Sequence, residues 1–422
     1  MALSGTLLAC GDAGGPVAVT TSDVEVDVAV KPLVLAPRSA ATADPAVAGR
    51  AVAAFGVDVF GAVRATTPAE NVAVSPASIA IALAMLEPGT TGDAQTQIRS
   101  LLRIDDPATF HSSMNALEQS LEGRVVEVFN EGDDPGEVMM RVANAAYLQQ
   151  GYPFSPAYLD IVGTEYGPVL NEVDFSADPD VVAHQINDFV ADATNDRISD
   201  LVADGAIRPE TVLALVNALY MKASWLETFE ESATTDGPFT VLDGTELTLP
   251  MMHGTSASSA RGDGWVGATK SYVGGLTAQF ILPDIDRFDQ IADNLTTVFA
   301  EYETNRTSGA RFAMPRFESR FGVELSDALK ALGLTGAYVQ GGLLGIANDP
   351  RLVIDQAIHQ TFVAMDEEGT EAAAATVVLI YPTSGPLLEP VPVTLDRPFI
   401  YRIIDDQTSA TLFIGQVLNP ST

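Results

Sequence analysis

The sequence predicts a mixed α+β fold in one large domain that follows an N-terminal linker. The chain has 422 residues, of which 47% are hydrophobic and 18% are charged. This composition is typical of a globular protein and opposite to that of a disordered chain. Short strand-like runs alternate with helical runs, and no shift in composition marks a second domain. The length is ample for a sizeable hydrophobic core.

The N-terminus contains the single cysteine, Cys10, at the end of Leu7-Leu8-Ala9-Cys10. This segment resembles the lipobox of bacterial lipoproteins, in which the thiol is lipidated. We therefore expect residues 1–10 to be a truncated lipoprotein-type signal segment and the protein to be extracytoplasmic, secreted or lipid-anchored at the bacterial envelope. A chance cysteine is the alternative, since no Lys or Arg precedes Leu7. A lone cysteine also excludes an intramolecular disulfide.

A linker is predicted from residue 11 to residue 45, which is rich in small and polar residues and shows no helical period. The domain is predicted to span residues 46–422. Its first helix is indicated by apolar residues that recur on one helical face. These residues are Val52, Phe55, Val59 and Val63.

A second helix is predicted after residue 75, because Ser75 can cap it and Pro76 suits its first turn. Gly89 is expected to close it. Beyond this point, β-branched and aromatic runs predict strands at 141–148, 212–221, 276–282 and 399–404. Helical periodicity predicts helices at 180–193 and 325–332.

The chain has 56 acidic residues and only 22 Lys and Arg, which gives a net charge of −34. A surface this acidic repels phosphate groups and argues against nucleic acid as a partner. The four histidines lie in none of the common metal-ligand or hydrolase motifs. No glycine-rich phosphate loop is present either. We therefore predict no enzymatic activity, no cofactor and no metal site.

The most informative segment runs from Asp366 to Tyr381 and reads DEEGTEAAAATVVLIY. Its alanine block favours a helix and its β-branched end favours a strand, so a helix-to-strand connection is one interpretation. As a single extended strand, alternation puts small residues first and bulky apolar residues later on one face. That face comprises Thr370, Ala372, Ala374, Thr376, Val378 and Ile380.

A series of short motifs from about Pro45 to the C-terminus carries a family resemblance. In order they are 71–79, Ala84-Met85-Leu86, Gly89, Ala143-Asn144-Ala145, Tyr147, Phe154, Val173-Asp174-Phe175, 216–222, Trp225, Phe229, Leu282-Pro283-Asp284, Pro315-Arg316-Phe317, Leu332-Gly333, His359, 367–376, Asp396-Arg397-Pro398-Phe399, Leu412-Phe413-Ile414-Gly415, Asn419 and Pro420. The chain is thereby identified as resembling the serpins, and we expect a bacterial member.

The resemblance implies a serpin fold of three β-sheets with surrounding helices and an exposed reactive-centre loop at about 369–392. It implies an inhibitor of serine endopeptidases that forms an acyl-enzyme and inserts its loop into the central sheet. The expected partner is a serine protease, or a cysteine protease, and the protein is expected to be a metastable monomer. Membrane contact is expected only through the lipid anchor. A non-inhibitory serpin that acts as an interaction protein is the alternative.

The resemblance also assigns residues of the loop. The hinge comprises Glu367, Gly369, Thr370, Ala372, Ala373, Ala374, Ala375 and Thr376. Counting from the hinge puts the scissile bond between Thr383 and Ser384, with Ser384 or Leu387 as alternatives. Because the loop carries neither Lys nor Arg, elastase-like or subtilisin-like targets are favoured over trypsin-like ones.

A polar cluster beneath the central sheet is implied in the same way, at the point where strands part during insertion. Its members are Ser75, Ser78, Asn217 and His359, while Lys222 and Trp225 match the place where the loop first enters. Taken singly, each could be an ordinary satisfied core group. As a set they predict a conformational switch that does no chemistry.

Overall fold

The computed structural model describes residues 31–32, 37–122, 124–128, 136–370 and 391–421. The α-helices of this part surround and separate the sheets. They are α1 (Pro45–Thr66), α2 (Pro76–Leu86), α3 (Gly92–Leu101), α4 (Pro107–Glu122), α5 (Pro156–Tyr166), α6 (Pro179–Ala193), α7 (Phe288–Ala292), α8 (Leu295–Thr304) and α9 (Ser326–Ala331). Short 3-10 turns lie at Glu87–Gly89, Glu231–Ala233 and Gly336–Tyr338.

The central sheet contains the long antiparallel pair at the heart of the fold. Its strands are β1 (Lys31–Pro32), β3 (Val125–Val128), β4 (Gly136–Gln149), β5 (Val169–Val173), β6 (Leu213–Ser224) and β16 (Gly369–Thr370). Their order is β1-β5-β4-β6-β16, with β3 paired to one end of β4. The outermost strand on one side is therefore only two residues long.

Two further sheets complete the body. The second has the order β12-β9-β10-β11-β18-β19-β2 and the third the order β17-β13-β8-β7. Their strands are β2 (Val72–Val74), β7 (Thr235–Thr240), β8 (Glu246–Thr255), β9 (Ser258–Gly262), β10 (Trp265–Tyr272), β11 (Leu276–Pro283), β12 (Thr307–Ser308), β13 (Arg311–Pro315), β17 (Val393–Thr394), β18 (Phe399–Asp405) and β19 (Thr411–Val417). A separate ribbon pairs β14 (Phe317–Glu324) with β15 (Ile358–Met365) and continues directly towards β16.

Helix α1 forms as its periodicity predicts and buries the apolar stripe that includes Phe55 and Val59. Each such side chain contributes roughly 1.5–3 kcal/mol when fully buried. Its Gly49 lies against the second sheet, where an added Cβ would come within 2.1 Å of the Thr408 carbonyl oxygen. By length and composition α1 could span a membrane, yet its apolar stripe faces the protein core.

Helix α2 is apolar all round because it lies between the central sheet and the second sheet. Ser75 caps it, since the Ser78 amide donates to Ser75 Oγ at 3.3 Å. Pro76 occupies the first turn, where its missing N–H costs no hydrogen bond. The 3-10 turn at Glu87–Gly89 ends it as predicted.

The predicted α+β class is confirmed. Strands β4, β6, β11 and β18 correspond to the four predicted strands, and helices α6 and α9 correspond to the two later predicted helices, although β6 begins one residue late and α9 is one residue shorter at each end. Two parts of the predicted linker make contacts of their own. Lys31–Pro32 pairs with β5, and the segment from residue 37 to residue 44 lies against α4 and α5.

Candidate functional site: the hinge and the cleft in the central sheet

The chain reverses tightly between β15 and β16. The Asp366 carboxylate accepts hydrogen bonds from the amides of Glu368 at 2.9 Å and Gly369 at 3.1 Å. The Asp366 amide donates to the Gly369 carbonyl at 3.0 Å. Gly369 has φ +153°, and an added Cβ would lie 2.1 Å from the Ala223 carbonyl oxygen. This position therefore requires glycine.

After this turn, β16 joins the edge of β6. Gly369 pairs with Ser224 and Thr370 with Ala223 in antiparallel register. The Trp225 amide donates to the Glu368 carbonyl at 2.7 Å, and the Trp225 indole N–H donates to the Asp366 carbonyl at 2.9 Å. The first residues of the predicted hinge are thus already a strand of the central sheet.

Glu367 is buried beside this turn and forms an ion pair with Arg316. Arg316 Nε lies 2.6 Å from one carboxylate oxygen and 2.8 Å from the other. The Thr234 hydroxyl donates to the same carboxylate at 2.5 Å. Burial by itself would raise the pKa of Glu367, but the hydrogen bonds from Arg316 and Thr234 outweigh it and hold that pKa below its usual range.

Thr370 is buried against an aromatic floor. Its hydroxyl lies 2.8 Å from the Tyr272 hydroxyl, and the Tyr272 ring stacks on Trp225 with a centroid separation of 4.0 Å. Lys270 lies beneath, with Nζ 4.2 Å from the centroid of Phe229. Burial lowers the pKa of Lys270 to about 8. The floor therefore holds the small polar side chain of Thr370 through this hydroxyl contact.

Beyond β16 the central sheet is split. In the described part of the chain, β6 pairs with β4 and β16, while β15 pairs with β14. A cavity of about 460 Å³ lies between the N-terminal ends of β6 and β15, and residues of α2 form part of its wall. Leu213, Leu215, Asn217, Ile79, Leu83, Ile358 and His359 are among its lining residues. Closer to β16, a cavity of only about 10 Å³ is lined by residues that include Thr370, Leu219, Met221 and Phe362.

The predicted polar cluster lies at the head of the large cavity. The Ser75 amide donates to Nε2 of His359 at 3.0 Å. Burial lowers the pKa of His359 to about 4, so the ring is neutral at physiological pH and can accept this bond. Asn217 Nδ2 donates to Asn144 Oδ1 at 2.6 Å. The other amide atom, Asn217 Oδ1, is buried with no hydrogen-bond partner among the described residues.

The structure thus places Ser78, Asn217 and His359 on the lining of one cavity, and Ser75 is hydrogen-bonded to His359 beside it. Trp225 lies at the hinge, and Lys222 lies one residue from Ala223 on β6, with its side chain on the opposite face of the strand. Of the predicted hinge, Glu367, Gly369 and Thr370 are described. The remaining assignments lie outside the described residues: Cys10, Ala372, Ala373, Ala374, Ala375, Thr376, Thr383 and Ser384.

Several contacts of the site were not anticipated from the sequence. Thr234, Tyr272 and Arg316 contact the hinge, and Asn144 contacts Asn217 of the polar cluster. Arg316 belongs to the Pro315-Arg316-Phe317 motif, but its partner Glu367 is 51 residues away in the sequence and no local pattern connects the two. The pairing of Asn144 with Asn217 could have been inferred from the two strand motifs, since both residues lie at the centre of neighbouring strands.

The fold, the split sheet and the hinge define a class of protein, and the comparisons agree. The family model described as serpin (serine protease inhibitor) matches residues 50–420. A serpin-like protein of Thermococcus kodakarensis is 33% identical over 83% of this chain and 81% of its own. The alpha-1-antiproteinase 2 of Equus caballus is 31% identical over 88% of this chain and 86% of its own. The chain belongs to the serpin family.

A solved structure supports the fold independently. Thyroxine-binding globulin in complex with thyroxine superposes with a TM-score of 0.74 at 24% identity, covering 88% of this chain and 98% of that one. Serpins are generally protease inhibitors and not enzymes. Some members of the fold serve other purposes, as the name of this globulin states.

Proposed function

We propose that this protein inhibits serine endopeptidases by trapping them as acyl-enzymes, with insertion of residues 371 onward into the cleft between β6 and β15. The observation that carries the proposal is the register of β16 on β6. Because Gly369 and Thr370 already pair with Ser224 and Ala223, the direction and register of any continuing strand are fixed.

Continued in that register, the strand would put Thr376 opposite Asn217. The Thr376 hydroxyl could then donate to the buried Asn217 Oδ1, which has no partner among the described residues. An insertion shifted by one residue would offer Ala375 or Val377 there and leave the acceptor unsatisfied. The register therefore matches the one hydroxyl of the late hinge to an available acceptor.

The sizes of the side chains also match the cleft. Ala372 and Ala374 would lie opposite Met221 and Leu219, where the gap is narrow. Val378 and Ile380 would lie opposite Leu215 and Leu213, which line the large cavity. Each of these two side chains would contribute roughly 1.5–3 kcal/mol on burial. Small residues first and bulky ones later is the order that such a cleft admits.

In the proposed reaction the protease serine Oγ attacks the carbonyl carbon of Thr383 and the bond to the nitrogen of Ser384 breaks. The leaving amine takes the proton from the protease's general base, and the ester remains. Insertion then moves the attached protease before water can attack the ester. All chemistry is done by the protease, so this chain is consumed one for one.

The test is a panel of elastase-like, subtilisin-like and trypsin-like serine proteases, plus one cysteine protease, analysed on denaturing gels and by residual activity. We expect a covalent, SDS-resistant complex with an elastase-like or subtilisin-like member and a stoichiometry near one. If the loop is cleaved throughout the panel while every protease keeps full activity, the inhibitory proposal is wrong.

The alternative is a non-inhibitory serpin that acts as an interaction protein. Thyroxine-binding globulin shares this fold and is named for binding a small molecule, which is the reason for considering this alternative. At 24% identity the likeness concerns the fold alone. Loop cleavage without any gain in thermal stability would support this alternative.

Target specificity is proposed to depend on Thr383. A compact β-branched side chain suits a shallow apolar pocket, whereas a pocket with a carboxylate at its base requires Lys or Arg. We expect Thr383→Arg to shift inhibition towards trypsin-like proteases and to weaken it towards elastase-like ones. Mass spectrometry of the released C-terminal fragment checks the bond; a fragment beginning elsewhere than Ser384 would refute the assignment.

A bacterial envelope location is proposed from the lipobox-like Cys10. Lipidation of this thiol would anchor the protein, since residues 11–30 can serve as a tether. We expect Cys10→Ser to move the protein from the membrane fraction to the soluble fraction of an expressing bacterium. A serine variant that still sediments with membranes would exclude the lipoprotein assignment.

A further inference from the structure

The segment that precedes α1 joins two parts of the molecule. We call residues 37–44 the N-terminal arm. Upstream of it, Lys31–Pro32 pairs with the edge strand β5 of the central sheet. Downstream, Asp44 caps α1, which packs on the second sheet. The arm therefore lies between an element of the central sheet and an element of the body.

The arm is held in the groove between α4 and α5 by polar contacts. The Ser39 amide donates to the Thr164 carbonyl at 2.7 Å, and Asn115 Nδ2 donates to the Ser39 carbonyl at 2.9 Å. Arg38 inserts beside them, with its Nε 2.8 Å from Asn115 Oδ1. Its methylene chain covers Gly167, where an added Cβ would lie 2.7 Å from Arg38 Cδ.

Arg38 reaches a carboxylate in the interior. Its NH2 group lies 2.7 Å from Oε2 of Glu118, whose side chain is 0% exposed. The NH1 group of Arg38 lies 3.2 Å from Oε1 of a second carboxylate, Glu122, which is more exposed than Glu118. Burial raises the pKa of Glu118 to about 8 although Arg38 opposes that rise. In either protonation state Oε2 can remain an acceptor, because Oε1 has no partner among the described residues.

From Glu118 the hydrogen bonds continue to the cleft. Asn144 Nδ2 donates to the same Oε2 at 2.8 Å, and Asn144 Oδ1 accepts from Asn217 Nδ2 at 2.6 Å. An amide that donates with its nitrogen on one side must present its oxygen on the other. Glu118 thereby orients Asn144, and Asn144 orients Asn217, a residue that lines the cavity.

We propose that the N-terminal arm, through Arg38, is a positioning element that holds the cleft-facing edge of β6 by the side-chain relay Glu118, Asn144 and Asn217. Loss of Arg38 leaves Glu118 without its cation, weakens the orientation of both asparagines and loosens β6 at the cavity. This coupling exists in the free protein and needs no protease, so it can be tested separately from inhibition.

The experiment is amide hydrogen exchange on the full chain, comparing wild type with Arg38→Ala. The matched control is Arg50→Ala, which removes the same charge from the exposed face of α1. We expect Arg38→Ala to raise exchange in 213–219 by at least about fivefold, as a coupling of ordinary strength would. The control should leave that segment unchanged. Faster exchange confined to the arm, α4 and α5, or unchanged exchange throughout, would overturn the proposal.

A double-mutant cycle tests the route. In an Asn144→Ala background the relay is already broken, so Arg38→Ala should add nothing to the exchange of 213–219. A full additional effect in that background would show that the arm acts by another path and would refute the relay. If Arg38→Ala does not fold, Arg38→Lys takes its place, because it keeps the charge but loses the planar guanidinium; a smaller rise in the exchange of 213–219 is then required.

The two proposals can fail separately. If Arg38→Ala raises the exchange of 213–219 but no protease is inhibited by the wild type, the relay stands and the proposed function fails.

Discussion

Replacing Thr370 with arginine is expected to convert the protein from an inhibitor into a substrate. The wild-type side chain is buried, with its hydroxyl 2.8 Å from that of Tyr272 and its backbone paired with Ala223. An arginine side chain would meet the stacked rings of Tyr272 and Trp225 there, and the Lys270 ammonium lies against the same aromatic cluster. Burying an unpaired charge there costs several kcal/mol.

The arginine variant should therefore be excluded from the sheet, and the strand that must enter first would be blocked. Cleavage of the loop does not require insertion, so the protease should still cut and then deacylate. We expect the stoichiometry of inhibition to rise at least tenfold, a change that about 1.4 kcal/mol against insertion would produce. Titration of active protease and denaturing gels measure both outcomes.

A matched control separates this effect from a general effect of added charge. Thr297→Arg makes the same substitution on the exposed face of α8 and should leave the stoichiometry near that of wild type. Thr370→Ser keeps the hydroxyl for Tyr272 and should remain inhibitory. An unchanged stoichiometry in Thr370→Arg would show that insertion at this position is not needed for inhibition.

Elements with strong local signals were predictable from the sequence. Helix α1 is specified by its apolar period, and α2 by the Ser75 cap and Pro76. Strands β4 and β6 are specified by apolar runs buried on both faces. The order of these strands in the sheet has no such local signal and was not predicted.

The site was predictable as a set of residues but not as a geometry. The cluster of Ser75, Asn217 and His359 was assigned by motif, and the structure places Asn217 and His359 on one cavity, with Ser75 hydrogen-bonded to His359. The contacts of the hinge were not predicted, because Arg316 meets Glu367 and Tyr272 meets Thr370 only through tertiary packing. That packing also explains the burial of Glu367, an acid that local reasoning would leave at the surface.

Proteolytic nicking of the loop beyond Tyr381, at or near the proposed bond between Thr383 and Ser384, should raise the temperature at which the protein melts. A nicked loop is freed at one end and can continue β16 along β6, adding backbone bonds worth about 0.5–1.5 kcal/mol each. It would also fill the cavity of about 460 Å³ with Val378, Ile380 and their neighbours. Each of these two apolar side chains would contribute roughly 1.5–3 kcal/mol on burial.

These contributions together reach several kcal/mol, so we expect the melting temperature to rise by at least about 5 °C. Differential scanning calorimetry of intact and nicked protein, each confirmed by mass spectrometry, measures the rise. The Thr370→Arg protein nicked in the same way is the control: its arginine should block entry, so nicking should leave its melting temperature unchanged. A wild-type protein that melts at the same temperature before and after nicking would rule out insertion. The cleft and the register of β16 would then belong to a sheet into which no further strand is inserted.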